Sequence, residues 1–412
     1  MMCACGSAGG AAAATAESDL DTVACFSDIV EERAASVRVE ASGKVFTYKD
    51  EPIVPSDFTV AEKIELLEIN APVEEKIEYV DMCLQKGADY KTALSMCFPL
   101  LPRFTDRIAE TVNVAPVDAA VVYKNGKFGV TREKSGVALD ENKLYAGIYF
   151  CFKFGETGRT LKADTVTVPP AVTAKELSGN LTLRSEYKTD YNTSTAQRAH
   201  NVSLALSKFD GLSVAPGQRL SFNTVVGDRT EENGFRKAKI IVDGKYTDGV
   251  GGGVCQASTA LYNAALTAGL AATANAHSIC PSYCPPGLDA MISSFSDLVI
   301  TNTTAHDIYI SVRTGNGAAA VKIFGEKQDV EVVPESVVTN VVPHRQTEIL
   351  DAERKYFGAD AVKGDRLIVS PGKDGMASET YLNYYKNGTL IRRTLIRQNS
   401  YKPTPCVVAV AP

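Results

Sequence analysis

The stretch Gly249-Val250-Gly251-Gly252-Gly253-Val254-Cys255-Gln256-Ala257-Ser258-Thr259-Ala260-Leu261-Tyr262-Asn263-Ala264-Ala265-Leu266-Thr267-Ala268-Gly269 is the most informative part of the chain. Its second half is rich in helix formers, with Leu261, Ala265 and Leu266 on one side and Gly269 as a natural stop. The glycines ahead of it read as a tight loop, so Cys255 falls at a helix N-terminus. There the helix dipole and unpaired N–H groups favour a thiolate. Glycines also let backbone amides approach a bound carbonyl closely, as an oxyanion hole needs. The run is not a phosphate loop, because no Lys-Ser/Thr pair follows it.

A thiolate nucleophile also wants an imidazole partner. The chain has four histidines, His200, His277, His306 and His344. Of these, His277 follows the expected helix, in Ala276-His277-Ser278. A helix running away from Cys255 and a returning strand would bring His277 back beside it. Asp289 or Asp297 would then orient the imidazole, giving the Cys-His-acid arrangement of acyl-transfer chemistry. The plainer alternative is a structural turn, since free Cys is among the most buried residue types. Arg229, in Asp228-Arg229-Thr230, is a candidate to hold a substrate carboxylate or merely to cap a helix. Glu231-Glu232 reads as solvated surface, Cys284-Pro285-Pro286-Gly287 as a rigid turn. Asn180-Leu181-Thr182 and Asn201-Val202-Ser203 match glycosylation sequons.

Composition narrows the class. A chain of 412 residues is long enough for two to four domains. Apolar residues at 45% and charged residues at 22% are ordinary for a folded globular protein. A net charge of −6 supplies no basic stripe for phosphates, so a nucleic-acid partner is not expected. The ten cysteines are scattered without a CxxC pair, which argues against a structural zinc site, and neither a metal nor a cofactor is expected. Cys280 and Cys284 either pair or simply pack. Residues 1–20, starting Met1-Met2-Cys3-Ala4-Cys5 and continuing Gly/Ala-rich, read as a disordered tether or signal remnant. In the sharper reading Cys5 is lipidated and anchors the chain.

Val37 to Thr47 reads as a hairpin about a Ser-Gly turn, and Asn125-Gly126 and Asn387-Gly388 mark two more. Tyr90 to Ile108 looks helical with interruptions at Pro99 and Pro102, and Leu139-Asp140-Glu141-Asn142 opens another helix. The tail from Arg366 to Val410 is strand-rich. An α+β, multi-domain fold with a C-terminal all-β module is expected.

The residues Leu220-Ser221-Phe222-Asn223, Gly227-Asp228-Arg229-Thr230, Gly234-Phe235, Gly251 to Gln256, Ser258-Thr259, Leu261-Tyr262-Asn263-Ala264, His277-Ser278, Tyr283, Pro286-Gly287, Asp289-Ala290 and Asp297-Leu298 strongly resemble the VanW family. Upstream, Pro116-Val117-Asp118-Ala119 through Gly136 and Leu139-Asp140 resembles the peptidoglycan-binding repeat that commonly precedes it. The tail, with Tyr384-Tyr385-Lys386-Asn387-Gly388 and Tyr401-Lys402-Pro403, is similar to a G-five domain. The resulting division is 21–112, a divergent peptidoglycan-binding-like repeat; 113–180, a second such repeat; 181–324, the VanW domain; and 325–412, the β module.

The resemblance implies a protein outside the cytoplasm, in a Gram-positive-type cell envelope, with peptidoglycan stem peptides as its partner. It further implies an L,D-transpeptidase-like cysteine acyltransferase that forms 3-3 cross-links through a thioester. Cys255 would be the nucleophile, His277 the proton shuttle, and Asp289 or Asp297 its acid. Gly252, Gly253 and Gln256 would hold the oxyanion, with Ser258, Arg229 and Tyr283 toward the substrate. A non-catalytic peptidoglycan-binding scaffold, or a cysteine peptidase or amidase on stem peptides, is the alternative. Two departures from the family pattern stand out: Thr273-Ala274-Asn275-Ala276 lacks the usual Arg before the His, and Cys280 and Cys284 replace apolar residues.

Overall fold

The computed structural model describes residues 35–50, 70–156, 158–242, 245–358 and 360–412. Cys5 and the rest of the N-terminal tether lie outside them. The described chain forms two compact units. The first comprises the residues up to Asp118 together with Glu133–Ala171, and the second comprises Ala119–Arg132 with Val172–Pro412.

In the first unit β1 (Ser36–Ala41) and β2 (Lys44–Lys49) form the expected hairpin, turning through Ser42 and Gly43, both at positive φ. Helices α1 (Val73–Gln85), α2 (Tyr90–Cys97) and α3 (Leu101–Val112) follow. Asp89 caps α2, accepting from the Thr92 amide at 2.7 Å. Pro102 does not interrupt a helix. It sits in the first turn of α3, where its missing N–H costs nothing. Along α3, Leu101, Phe104, Thr105, Ile108 and Val112 are buried, the spacing of one helical face.

The chain then leaves for the second unit as a hairpin, β3 (Val121–Lys124) and β4 (Lys127–Val130), turning at Asn125-Gly126. It returns as β5 (Gly136–Leu139), α4 (Glu141–Lys153), β6 (Thr160–Lys162) and β7 (Thr165–Val168). β6 pairs in parallel with β1, and β5 pairs with β7. Side chains of α1, α2, α3 and α4 share one core with β1, among them Val80, Leu94, Ile108, Tyr145 and Ile148. The expected 112/113 division therefore falls inside this core.

The second unit opens with α5 (Ala174–Gly179), β8 (Thr182–Asp190), α6 (Ala196–Ser207), β9 (Leu212–Val214), β10 (Arg219–Ser221) and α7 (Phe222–Val226). A hairpin of β11 (Lys237–Val242) and β12 (Lys245–Val250) leads into α8 (Val254–Thr267). Then come β13 (Ala271–Thr273), β14 (Val299–Thr301), β15 (Ile308–Gly315) and β16 (Ala318–Gly325). Strict alternation along β16 turns Ala319, Val321 and Ile323 into the core. It stands in a four-stranded antiparallel sheet ordered β8-β16-β15-β9.

Helix α8 is not half-exposed, as one apolar side would suggest. Twelve of its residues are buried, because β8, β16, α6, β13 and β17 (Glu331–Val342) pack around it. Ala257, Ala260, Ala264 and Ala265 are small enough to let those neighbours close in. The C-terminal part is all β, as expected. β17, β20 (Gly375–Lys386) and β21 (Thr389–Tyr401) make one sheet, and β18 (Gln346–Leu350), β22 (Cys406–Val410) and β19 (Arg366–Ser370) another. Among the described residues no helix is long and apolar enough to cross a membrane.

Candidate active site

The glycine loop is built to place Cys255. Gly253 caps α8 at φ 106°, in the left-handed region, and a Cβ there would stand 2.9 Å from Arg198 Cγ. At Gly252 a Cβ would stand 2.6 Å from the Lys239 carbonyl oxygen. Asn201 fixes the loop from behind. Its Nδ2 donates to the Gly252 and Arg236 carbonyls at 2.9 and 2.8 Å, and its Oδ1 accepts from the Arg236 amide at 2.8 Å. Asn201, read as a sequon, is fully buried and has this structural task instead.

After α8, β13 returns antiparallel to β14, and a bridge between Asn275 and Met291 pins the irregular segment between them. This brings His277 to the thiol. Nδ1 of His277 lies 2.6 Å from Asp289 Oδ2, which also accepts the His277 amide at 2.7 Å. Nε2 is left free of Asp289, and the ring lies close enough to Cys255 for each group to shift the other's titration. Residue Cys255 is half-buried, and its sulfur lies 3.6 Å from the Ile292 carbonyl oxygen. His277 and Asp289 are buried, at 7% and 0% side-chain exposure.

Electrostatics follow from this geometry. Burial works to raise the Cys255 thiol, but the hydrogen bond and charge of His277, the Ile292 backbone and Arg229 together bring it below the ordinary thiol value. Burial works to lower His277, yet Asp289 and the thiolate push it up to about 9. Burial opposes charge on Asp289 too, and hydrogen bonds from His277 and Tyr401 hold it below the usual carboxylate range. All three shifts favour a thiolate–imidazolium pair backed by a carboxylate. Burial pushes the thiols of Cys97, Cys151, Cys280 and Cys284 the other way, upward. Cys280 and Cys284 are both free thiols.

The remaining candidates separate. Asp297 is not at the imidazole; it accepts from Ser221 Oγ at 2.5 Å and the Asn223 amide at 2.9 Å, at the start of α7. Gln256 is buried and donates to Thr189 Oγ1 and the Asp190 carbonyl, both at 2.8 Å, so its side chain anchors α8 to β8. Its amide is taken by the Gly253 carbonyl at 2.9 Å. By contrast, the amides of Gly252, Gly253 and Cys255 donate no hydrogen bond among the described residues. Ser258 is buried and donates to the Ala290 carbonyl at 2.6 Å. Arg229 is half-buried, donates to Asn223 Oδ1 at 2.9 Å, and its charge helps to lower the Cys255 thiol. Tyr283 meets the His277 ring edge-on at 6.5 Å between centroids, and the Arg198 guanidinium lies over the Tyr283 ring at 5.9 Å.

Several residues that build the site are assigned no role by the sequence. Thr259 Oγ1 accepts from the Ala290 amide at 3.0 Å, and Asn263 Nδ2 donates to the Leu288 carbonyl at 2.8 Å. With Ser258 they clamp both neighbours of Asp289 onto α8. Losing such a buried partner costs about 1–3 kcal/mol. Polar residues inside a helix otherwise rich in Ala and Leu were the visible clue. Asn223 Nδ2 similarly ties the Ser293 and Ser296 carbonyls, at 3.0 and 2.9 Å. From the C-terminal sheet Tyr401 and Arg397 reach Asp289 Oδ1, at 2.5 and 3.3 Å. No group of three potential metal ligands occurs among the described residues.

Comparison with known proteins finds three family matches along the chain. The family described as "VanW like protein" matches residues 197–324, "Putative peptidoglycan binding domain" matches 85–149, and "G5 domain" matches 334–411. The "Uncharacterized protein YoaR" of Bacillus subtilis (strain 168) is 30% identical over 225 residues, 54% of this chain and 73% of the relative. The "Vancomycin B-type resistance protein VanW" of Enterococcus faecalis (strain ATCC 700802 / V583) is 27% identical over 138 residues, 32% of this chain and 50% of that protein. A solved structure, "IgA1 Protease G5 domain structure", aligns with 21% of this chain and 94% of its own at 14% identity and a TM-score of 0.13. The chain belongs to the VanW-like family, with a peptidoglycan-binding segment before the VanW region and a G5 domain after it.

Proposed function

We propose that this protein is a cysteine acyltransferase of the cell envelope that joins peptidoglycan stem peptides in the manner of an L,D-transpeptidase. The observation that supports it best is the pairing of His277 with the buried Asp289 next to a Cys255 thiol that the imidazole holds below its ordinary value. In the first half-reaction the thiolate attacks the carbonyl carbon of the L,D-amide in a donor stem. The oxyanion is received by the Gly252, Gly253 and Cys255 amides, which have no other partner among the described residues. The imidazolium gives its Nε2 proton to the departing nitrogen as the C–N bond breaks, releasing D-Ala and leaving a thioester on Cys255. In the second, neutral His277 takes a proton from the side-chain amine of a neighbouring stem. That amine attacks the thioester, a new amide forms, and the thiolate and imidazolium are regenerated. Asp289 stays ionised throughout and fixes the ring. Arg229 and Tyr283 flank the thiol and orient the stem.

A second reading is a non-catalytic peptidoglycan-binding scaffold, favoured by the match of residues 85–149 to a peptidoglycan-binding family. Muropeptide analysis separates the two. Sacculi treated with the purified chain gain 3-3 dimers under the first reading, and Cys255→Ala abolishes the gain. Equal muropeptide profiles for the two proteins favour the scaffold. Trimmed stems without dimers point to a peptidase instead.

A further inference from the structure

Every polar atom of the Asp289 side chain is in use, and the two halves come from distant parts of the sequence. Oδ2 faces His277, whereas Oδ1 accepts from Tyr401 Oη at 2.5 Å and Arg397 Nη2 at 3.3 Å. Arg397 Nη1 also donates to the Asp289 carbonyl at 2.7 Å. Both residues belong to β21, inside the stretch that matches the G5 domain.

Tyr401 is itself held. Its oxygen accepts from the Gly287 amide at 2.6 Å, so its single proton is directed at Asp289. Arg397 is held by Asn399 Oδ1 at 2.9 Å and lies over the Tyr262 ring at 5.8 Å, so its guanidinium is oriented before it meets the carboxylate. Tyr401 is 2% exposed, and the Arg397 side chain 11%. The same segment is tied to the sheet at points that do not touch Asp289. Thr380 Oγ1 donates to the Gly287 carbonyl at 3.0 Å, and the Lys402 amide donates to the Ser278 carbonyl at 2.8 Å.

We infer that the C-terminal β domain completes the thiol site, with Tyr401 and Arg397 as positioning residues that fix Asp289 and through it the His277 ring. The domain is thereby more than an appended binding module. Without these donors the carboxylate turns away from its optimum and holds a proton more readily, the imidazolium loses support, and Cys255 becomes a weaker thiolate. The inference deepens the acyltransferase reading and rests on it for its catalytic meaning. Its geometric content concerns the thiol alone.

The test uses the full chain and follows iodoacetamide alkylation at Cys255, read by peptide mass mapping, as a function of pH. Tyr401→Phe moves the acid limb upward by about one pH unit, slowing alkylation within that limb about tenfold. Arg397→Lys moves it in the same direction by less. Thr380→Val, which breaks a neighbouring tie and leaves Asp289 untouched, keeps the wild-type limb. Superimposed limbs for Tyr401→Phe, Arg397→Lys and wild type, while Asp289→Asn shifts, overturn the inference. A Thr380→Val shift as large as that of Tyr401→Phe overturns it too, because general loosening of the seam then accounts for both. Should thermal melts show that Tyr401→Phe does not fold, Arg397→Lys against Thr380→Val decides. Failure of the acyltransferase reading looks different: Cys255→Ala leaves muropeptides unchanged while the limb still shifts.

Discussion

Among its described residues the second unit holds two Asp–His pairs with nearly the same local geometry. His277 Nδ1 and His344 Nδ1 each lie 2.6 Å from a carboxylate oxygen, and in each pair that oxygen also accepts the histidine amide, at 2.7 and 2.9 Å. Their surroundings differ. His277 and Asp289 are 7% and 0% exposed, whereas His344 and Asp374 are 39% and 45% exposed. A thiol faces the first ring, and Tyr401 and Arg397 complete the first carboxylate. The pair is thus a common structural device that pins a histidine to its turn. Chemistry needs the low-dielectric setting, where charge interactions strengthen, and a nucleophile on the free nitrogen.

Substitution should separate the pairs sharply. His277→Gln slows cross-linking by about 10²–10⁴-fold, the range for a lost general acid–base, while His344→Gln leaves the rate unchanged in the same muropeptide assay. The next largest effect is on pH. With His277 raised from 6.5 to about 9, acyl transfer falls as pH passes about 9, because no imidazolium remains to protonate the leaving amine. Alkylation of Cys255 needs only the thiolate and does not fall there. The linkage has the same sign. The group's contribution to stability is fully present below about 6.5 and is lost as pH rises through about 9, which pH-dependent thermal melts of wild type against His277→Gln detect.

The support beneath the buried pair offers a smaller effect. Gly253→Ala forces a Cβ against Arg198 at a positive φ, costing about 1–3 kcal/mol in denaturant melts. The smallest is expected at the exposed pair, where Asp374→Asn changes stability by no more than about 0.5 kcal/mol.

How much of this could be read in the chain differs by distance along it. The glycine loop, the helix after it and the return of His277 are local, and periodicity with turn chemistry makes them legible. So do the hairpins at Ser42-Gly43, Asn125-Gly126 and Asn387-Gly388, which turn at positive φ. The choice of Asp289 over Asp297 at the imidazole was not legible, since both lie in one irregular segment and only its fold turns the former inward. Gln256 and Ser258 stand in the most recognisable motif, yet their side chains hold α8 in place. A motif records what must stay put as well as what reacts. Tyr401 lies 112 residues from Asp289 and Arg397 lies 108, so no spacing rule connects them to it. In the first unit, a helix at 141–153 shares a core with helices before residue 112, and such long-range packing is equally invisible to local pattern.

A covalent intermediate on Cys255 is the most direct mark of acyl transfer by this site. Purified full-length chain mixed with tetrapeptide-stem muropeptides, quenched in acid and mapped by mass spectrometry, should carry an acyl group on Cys255 equal to the donor less its terminal D-Ala, with free D-Ala in solution. Unmodified Cys255 in the presence of intact stems would contradict it, as would 3-3 dimers formed equally well by Cys255→Ala.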